Sequence, residues 1–541
     1  MSAALARFRE PSACAAEILC DRHPPRALAL TIVDDDLNAR EVTFGELTEA
    51  SRRVASALAA LGVGRGDRVA TLMEKGIDLV AAMVGTWRLG AVYVPLFTAF
   101  APGAISLRLE GSCAKAVLVD STQRPKLNPG PDLPAGDWQV VLTDSTASAP
   151  GDLDLATLGG RGDPTLADEN VVIGGSGDFV HMFTSGTTGK PKGVVHPLLY
   201  AAGWQVYLER AIGLEADDVF WCAADPGWAY GLYTGIVGPL ALGRPTILFE
   251  GRFDPGKTWE LLAKFGVSNF AAAPTVYRSL SASAPPLKGI AIRCASSAGE
   301  PLTADVNEWA PTALGVEVHD HFGQTEVGMI LANHHDPQLA HPVKAGSMGR
   351  ATPGWEIAVL DPDSDSVAEV GAYGRLAIDC ERSPLMTFGG YHGTTSGSEK
   401  FSADRHWYLL GDVASVDADG DFSFQARDDD VIIMAGYRIG PFEIESVLLQ
   451  HPAVLECAVI GAPDPARGEV LEAFVVAAPG SLGTAELSEV LQTLVKEQYA
   501  AHAYPRTVHF VTELPRTPSG KVRREALRSR RRREFAAADA Q

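Results

Sequence analysis

Residues 183–194 read Phe-Thr-Ser-Gly-Thr-Thr-Gly-Lys-Pro-Lys-Gly-Val. A short, largely apolar run, Phe179 to Phe183, precedes them and predicts a strand that opens into a glycine-rich loop. Gly186, Gly189 and Gly193 let the backbone turn sharply and bring N–H groups close to an oxyanion. Between them stand the hydroxyls of Thr184, Ser185, Thr187 and Thr188 and the ammonium groups of Lys190 and Lys192. By composition this is a phosphate cradle. It is not a Walker A loop, because Gly-Lys is followed by Pro-Lys rather than by a hydroxyl residue that opens a helix. Pro191 also argues against a helix running through this point. Taken alone, such a loop is more often a surface turn, so the rest of the chain has to decide.

The chain has 541 residues, too many for one ordinary core, so two or more domains are expected. Before the loop, strand and helix patterns alternate. Ala27 to Val33 reads as a strand, and Thr43 with Glu46 forms a capping-box signature. Behind it Leu47, Ala50, Val54, Leu58 and Leu61 recur at helical spacing. Val69 to Met73, Ile77 to Leu89 and Ala91 to Leu96 continue as strand, helix, strand, which implies βαβ units and largely parallel sheets. Residues 121–164 are rich in Pro, Gly, Asp and Ser and predict a surface connection.

A formal charge of −21 argues against broad nucleic-acid or anionic-membrane binding, so a polyphosphate site must be a local basic pocket. The one dense basic run, Arg528 and Arg530 to Arg533, reads as a solvated tail. Seven cysteines without metal-type spacing fit reduced thiols in a cytoplasmic protein. No stretch is long and apolar enough to predict a membrane span, and the N-terminus lacks a signal-type core.

Past the loop, His196 is followed by a helical segment around Trp204 to Ile212. Asp225-Pro226-Gly227 then makes a turn that leads into Trp228, Tyr230, Gly231 and Tyr233. Small residues between large rings suit a flat apolar slot, although buried core is the commoner fate of such rings. Phe270 to Thr275, Ser296 to Pro301 and Asp320-His-Phe-Gly-Gln-Thr-Glu326 follow at intervals suited to successive strand ends, where ligands gather in open α/β sheets. Tyr408 to Asp412 and a hairpin over 416–424 predict antiparallel strands. Beyond Arg427 the pattern changes to a small α+β domain of about 110 residues.

Together and in this order, these blocks resemble the acyl-adenylate-forming superfamily, which includes acyl-CoA synthetases, peptide-synthetase adenylation domains and luciferases. The 225–235 block is similar to acetyl- and medium-chain acyl-CoA synthetases. The resemblance implies an α/β fold: a large N-terminal domain (1–427) of parallel-rich sheets flanked by helices with a β-barrel-like part, a hinge at 428–430, and a small mobile α+β C-terminal domain (431–541). It implies ATP, Mg2+ and CoA as cofactors and a carboxylic acid as substrate. A homodimer stays open.

Carried over residue by residue, loop 184–193 is expected to hold the β- and γ-phosphates, Thr325 the α-phosphate and Glu326 the Mg2+. Gly299, Glu300, Pro301 and Phe322 are expected at the adenine, Asp320 and His321 among the other nucleotide-binding residues, and Asp412 with Arg427 at the ribose. Arg438 is expected to serve phosphate in one conformation and the CoA path in another, with Ala273 and Gly436 along that path. Lys521 resembles the swinging lysine that bridges the substrate carboxylate and the α-phosphate, and Asp429 matches the hinge. His196, Trp228, Tyr230, Gly231, Tyr233 and Gly323 are the candidate acid pocket. Gly323 stands where acetate-specific relatives are similar in having Trp; a missing wall there predicts an acid larger than acetate.

Three departures reshape the expected ribose and acid sites: Ala426 before Arg427, Leu410 in a threonine position, and Pro-Leu-Leu after His196. They keep alive a ligase that performs mainly the thioester half-reaction and an enzyme that loads a carrier protein. A non-catalytic nucleotide-binding regulator is the rival from another class.

Overall fold

The computed structural model describes residues 2–144, 149–159, 169–184, 191–283, 289–393, 397–427, 430–434, 437–464, 468–498, 503–517 and 521–539. Its first sheet has seven strands. The strands Leu153–Asp154, Gln139–Leu142, Ala114–Val119, Arg68–Leu72, Val92–Pro95 and Asp178–Thr184 run parallel, and Lys192–Pro197 closes the sheet as an antiparallel hairpin partner. The expected capping box is formed: Thr43 caps the helix Phe44–Ala60, and Glu46 returns a bond to the Thr43 N–H at 2.8 Å. Leu47, Ala50, Val54 and Leu58 of that helix are buried, as their spacing predicts.

A thirteen-stranded path carries the rest of the large domain. Leu28–Val33, Thr246–Phe249, Phe220–Cys222, Asn269–Ala272, Cys294–Ala298 and Val318–Gln324 lie parallel. The path then turns antiparallel through Gly328–Ala332, Ser347–Ala351, Phe422–Arg427, Trp407–Val416, Gly374–Asp379 and Ile357–Leu360. The change falls at the Asp320–Glu326 segment. One side chain sequence therefore sees both the carboxyl ends of parallel strands and the antiparallel extension.

After Arg427 come the strands Ile432–Met434, Tyr437–Ile439, Val454–Asp464, Gly468–Ala477 and Thr507–Phe510, with helices Pro441–Leu448, Ala485–Gln498 and Arg524–Asp539. Their apolar faces bury Ile432, Ile444, Leu448, Val459, Leu471, Val475, Leu491 and Val495 in a core of their own. The basic run expected as a solvated tail lies instead in the helix Arg524–Asp539. There Arg528 pairs with Asp430 and Arg531 with Glu472, while Arg530 and Arg532 remain mostly exposed. An ion pair within reach of a folded domain converts a charge run into a docked element. No helix among the described residues is long and apolar enough to cross a membrane.

Candidate active site

The two ends of the signature stretch lie in paired antiparallel strands: Thr184 pairs with Lys192, and Val194 pairs with Met182. Ser185, Gly186, Thr187, Thr188, Gly189 and Lys190 lie outside the described residues. Lys192 holds its ammonium 4.6 Å from the Tyr391 ring centroid and 3.8 Å from Glu399. The His392 N–H donates to the Gly193 carbonyl at 2.8 Å, so the segment from Tyr391 runs beside the base of the loop.

Strand Val318–Gln324 alternates its side chains, and the alternation sorts the motif. Asp320 is buried; its Oδ2 accepts from the Leu302 N–H at 3.2 Å, its Oδ1 has no partner among the described residues, and burial pushes its pKa up to about 8. Phe322, two residues on, is half-buried. His321 points to the other face, where the Tyr207 hydroxyl donates to Nδ1 at 2.7 Å and Nε2–H donates to the Asn333 carbonyl at 3.2 Å. The His321 side chain is therefore engaged within the protein, which leaves its backbone for any contact with a nucleotide. Its ring is a buried neutral core group, with a pKa driven down by desolvation.

Thr325 and Glu326 form the turn that follows. The Thr325 carbonyl accepts from His196 Nε2–H at 2.7 Å and from the Tyr200 hydroxyl at 2.9 Å. Since a carbonyl cannot donate, His196 carries its proton on Nε2, and Nδ1 accepts from the Tyr233 hydroxyl at 2.8 Å. Burial holds the His196 pKa at about 3, so the ring is neutral. The Glu326 carboxylate is buried and accepts from the Tyr391 hydroxyl at 2.7 Å.

On the antiparallel side, Asp412 and Arg427 face each other in register, with Arg427 Nε 3.5 Å from Asp412 Oδ1. Gln324 Nε2–H donates to Asp412 Oδ2 at 2.6 Å and to the Leu410 carbonyl at 2.8 Å. Burial raises the Asp412 pKa, while Arg427, Lys400, Gln324 and Lys521 act in the opposite direction. Gly299 has a φ of +105° and open space where a Cβ would stand. The backbone therefore passes there in a left-handed conformation that favours glycine. Next to it, Glu300 accepts from Arg278 at 3.2 Å, and Pro301 is half-buried.

Lys521 comes from the small domain. A bridge between Arg516 and Val522 and a 2.7 Å bond from the Thr517 N–H to the Lys521 carbonyl shape its turn. Water reaches the side chain, yet protein crowds its ammonium and lowers its pKa. Glu300, Asp412 and Glu326 attract the charge, and Arg427 repels it. The domains meet where a Cβ on Gly440 would stand 2.6 Å from the Gln425 carbonyl oxygen, and where Phe442 lies 6.0 Å from Phe424.

The candidate acid pocket divides. Tyr233 is fully buried and stacks on Trp204 at 5.1 Å, so it is core. Tyr230 is half-buried, with its hydroxyl 3.3 Å from that of Tyr207. Trp228, also half-buried, packs on Phe97 and Phe100 at 5.6 and 5.4 Å. A Cβ on Gly231 would meet the Asp225 carbonyl oxygen at 2.2 Å, which explains the glycine by close backbone approach. The same holds for Gly323: its Cβ would stand 2.2 Å from the Gly328 carbonyl oxygen and 2.8 Å from Met329 Sδ. The space expected from a missing wall is filled by the neighbouring strand at the bulge between Phe322 and Gly323.

Ala273 caps the helix Pro274–Ser281, whose Arg278 reaches Glu300. Asp429 and Gly436 lie outside the described residues. Arg438 sits in the strand Tyr437–Ile439, and its side chain is outside the description. Reading the sequence missed Tyr391, Tyr200 and Lys400, which come from segments without a motif. Gln324 was within the quoted motif, and its spacing two residues before Glu326 was the available signal.

The profile of the AMP-binding enzyme family matches residues 19–392, and that of the AMP-binding enzyme C-terminal domain matches residues 443–521. An acetyl-coenzyme A synthetase of Bacillus subtilis is 34% identical over 498 residues, 90% of this chain and 84% of its own length. Among solved structures, an acyl-CoA synthetase of Brucella canis is 43% identical with a TM-score of 0.76, covering 99% of this chain and 97% of its own. The anthranilate CoA ligase AuaEII, solved with anthranoyl-AMP, is 28% identical with a TM-score of 0.86, covering 98% and 99%.

Proposed function

This chain belongs to the AMP-binding enzyme family, and from that premise we propose that its cleft joins a carboxylic acid to coenzyme A in two steps. In the first, a carboxylate oxygen attacks the α-phosphate of ATP, and the Pα–O bond to pyrophosphate breaks, leaving an acyl-adenylate. In the second, the thiol of CoA loses its proton and its sulfur attacks the acyl carbon, and AMP leaves with the electron pair of the C–O bond.

The first step brings two anions together. Unit charges 4 Å apart repel by about 4 kcal/mol at an effective dielectric near 20. Preorganised cations offset this without reorganising at the moment of reaction. Lys521 would take that role: it comes from the small domain, and Glu300, Asp412 and Glu326 of the large domain attract its ammonium. The observation that supports the reading is the buried Asp412 carboxylate, held by Gln324, faced by Arg427 and within the electrostatic reach of Lys521.

Asp412 would take the ribose hydroxyls, steadied by Gln324 and faced by Arg427. Thr325 would meet the α-phosphate from a turn that His196 and Tyr200 hold by its carbonyl. Lys192 and loop 184–193 would hold the outer phosphates. Gly299 to Pro301, Asp320 and Phe322 would enclose the adenine. A single protein carboxylate beside phosphate oxygens is a donor set that suits Mg2+, and Glu326 provides it. The ion would supply charge neutralisation on the phosphates. For the second step the small domain would rotate about residues 428–430, bringing Gly436 and Arg438 to a CoA path along Ala273.

The acid is proposed to be larger than acetate. Half-buried Trp228 and Tyr230, rather than Gly323, provide the apolar surface for it. The test is AMP and thioester formation with acetate, octanoate, benzoate and anthranilate. Turnover with one of the three larger acids above that with acetate is expected. Preference for acetate overturns the size assignment, and no AMP with any acid overturns the ligase reading.

A further inference from the structure

Among the groups drawn into the cleft, Lys400 has no role in the reading above. It closes a short turn, Ser398–Lys400, which starts from Gly397 at a φ of +107°. The preceding residue, Glu399, is 3.8 Å from Lys192, so the turn is tied to the base of the phosphate loop. Lys400 Nζ donates to the Leu410 carbonyl at 3.4 Å, the same oxygen that receives the Gln324 amide, and Gln324 in turn holds Asp412. Its ammonium lies 5.6 Å from the Tyr408 ring centroid. Lys400 therefore shares its carbonyl partner with the amide that holds the carboxylate assigned to the ribose, and it feels the charge of both that carboxylate and the one assigned to the metal.

We propose that Lys400 binds the phosphate chain of the nucleotide directly, opposite the ammonium that the small domain brings in. This deepens, and rests on, the assignment of Asp412 and Glu326 given above. A lysine ammonium has three donors, and among the described residues Lys400 spends one on a long bond to a neutral carbonyl. Asp412 and Glu326 attract it and Arg427 and Lys192 repel it, yet it forms no ion pair within 4.0 Å among the described residues. A half-buried cation held back from its carboxylates is costly until an anion arrives. A structural counter-ion of Asp412 would instead be bonded to it.

The experiment measures equilibrium binding of ATP with Mg2+, of AMP and of adenosine to the full chain, without acid or CoA. Lys400→Ala should weaken ATP and AMP by about tenfold or more, the scale of a lost charge-assisted hydrogen bond. It should leave adenosine within about twofold. Lys400→Arg should restore most of the ATP affinity, and Lys400→Gln, which keeps length without charge, should behave like the alanine variant even if the latter folds poorly. Equal weakening of adenosine and ATP overturns the proposal, because Lys400 would then act only on the ribose carboxylate; unchanged ATP affinity in both neutral variants overturns it too. Thioester formation by the unaltered chain is scored separately. Its failure would count against the ligase while a Lys400-dependent phosphate affinity stood.

Discussion

On the side proposed for the nucleotide, Asp412, Arg427, Lys400 and Lys521, from two strands, a short turn and a second domain, act on one another electrostatically, and opposite charges offset one another's desolvation. On the aromatic side, His196, Tyr200 and Tyr233 form a neutral network, stacked and hydrogen-bonded, around the Thr325 carbonyl. The first arrangement keeps charges ready for a ligand. The second fixes a backbone turn by burying polar atoms in pairs. Charges near water can be completed by a phosphate, whereas buried neutral partners leave each other unsatisfied when one is removed.

The largest effect that separates the two sides is expected at Lys521. Lys521→Ala should lower acid-dependent ATP–pyrophosphate exchange by about a hundred- to a thousandfold, the usual scale for one preorganised electrostatic group. Thioester formation from a premade acyl-adenylate should fall far less; equal losses would break the assignment. The exchange should also fade with rising pH. The ammonium is charged below its folded pKa, and that pKa lies under the usual lysine value because protein crowds the group. The alkaline limb should therefore begin below about 10.4, and Lys521→Arg should flatten it.

Next is Asp412→Asn, which removes a charged acceptor worth about 1.5–3 kcal/mol. The ATP concentration for half-maximal exchange should rise by about ten- to a hundredfold. If adenosine binding is unaffected by that change, the ribose assignment is wrong.

On the aromatic side, His196→Phe should cost about 1–3 kcal/mol in urea unfolding, because the Thr325 carbonyl and the Tyr233 hydroxyl lose a shared partner. It should also change the acid limb of stability. The folded His196 pKa of about 3 lies below the ordinary 6.5. Between those values the unfolded chain binds the extra proton, so stability drops as pH falls, by at most about 1.4 kcal/mol per pH unit for one group. The phenylalanine variant should show a shallower drop, and an unchanged slope would place the acid sensitivity elsewhere. Gly323→Ala should produce the smallest change in activity, a destabilisation of about 1–3 kcal/mol from strand overpacking with the range of accepted acids unaltered. A widened or narrowed acid range would restore Gly323 to the pocket wall.

Much of the nucleotide side was legible because its chemistry is written in local strings. The strands that flank the loop after Phe183, the Asp320–Glu326 motif and the facing pair Asp412 and Arg427 are each legible from short-range pattern. The aromatic side was harder. Trp228, Tyr230 and Tyr233 look alike in sequence, yet one packs on Phe97, one reaches Tyr207 and one is sealed against Trp204 and His196. Which ring faces a ligand depends on helix rotation and on neighbours far along the chain.

By itself, then, the sequence determined the alternating α/β plan, the separate terminal domain and the charged groups that stand in motifs, because periodicity and motif spacing are properties of adjacent residues. Only the tertiary structure decided that His321 bonds to Tyr207 and Asn333 on the face opposite Asp320 and Phe322, that Gly323 gives way to a neighbouring strand, and that Lys400 shares the Leu410 carbonyl with Gln324. Each of these depends on strand register and on contacts between segments distant in the chain, and neither is encoded in the spacing of adjacent residues.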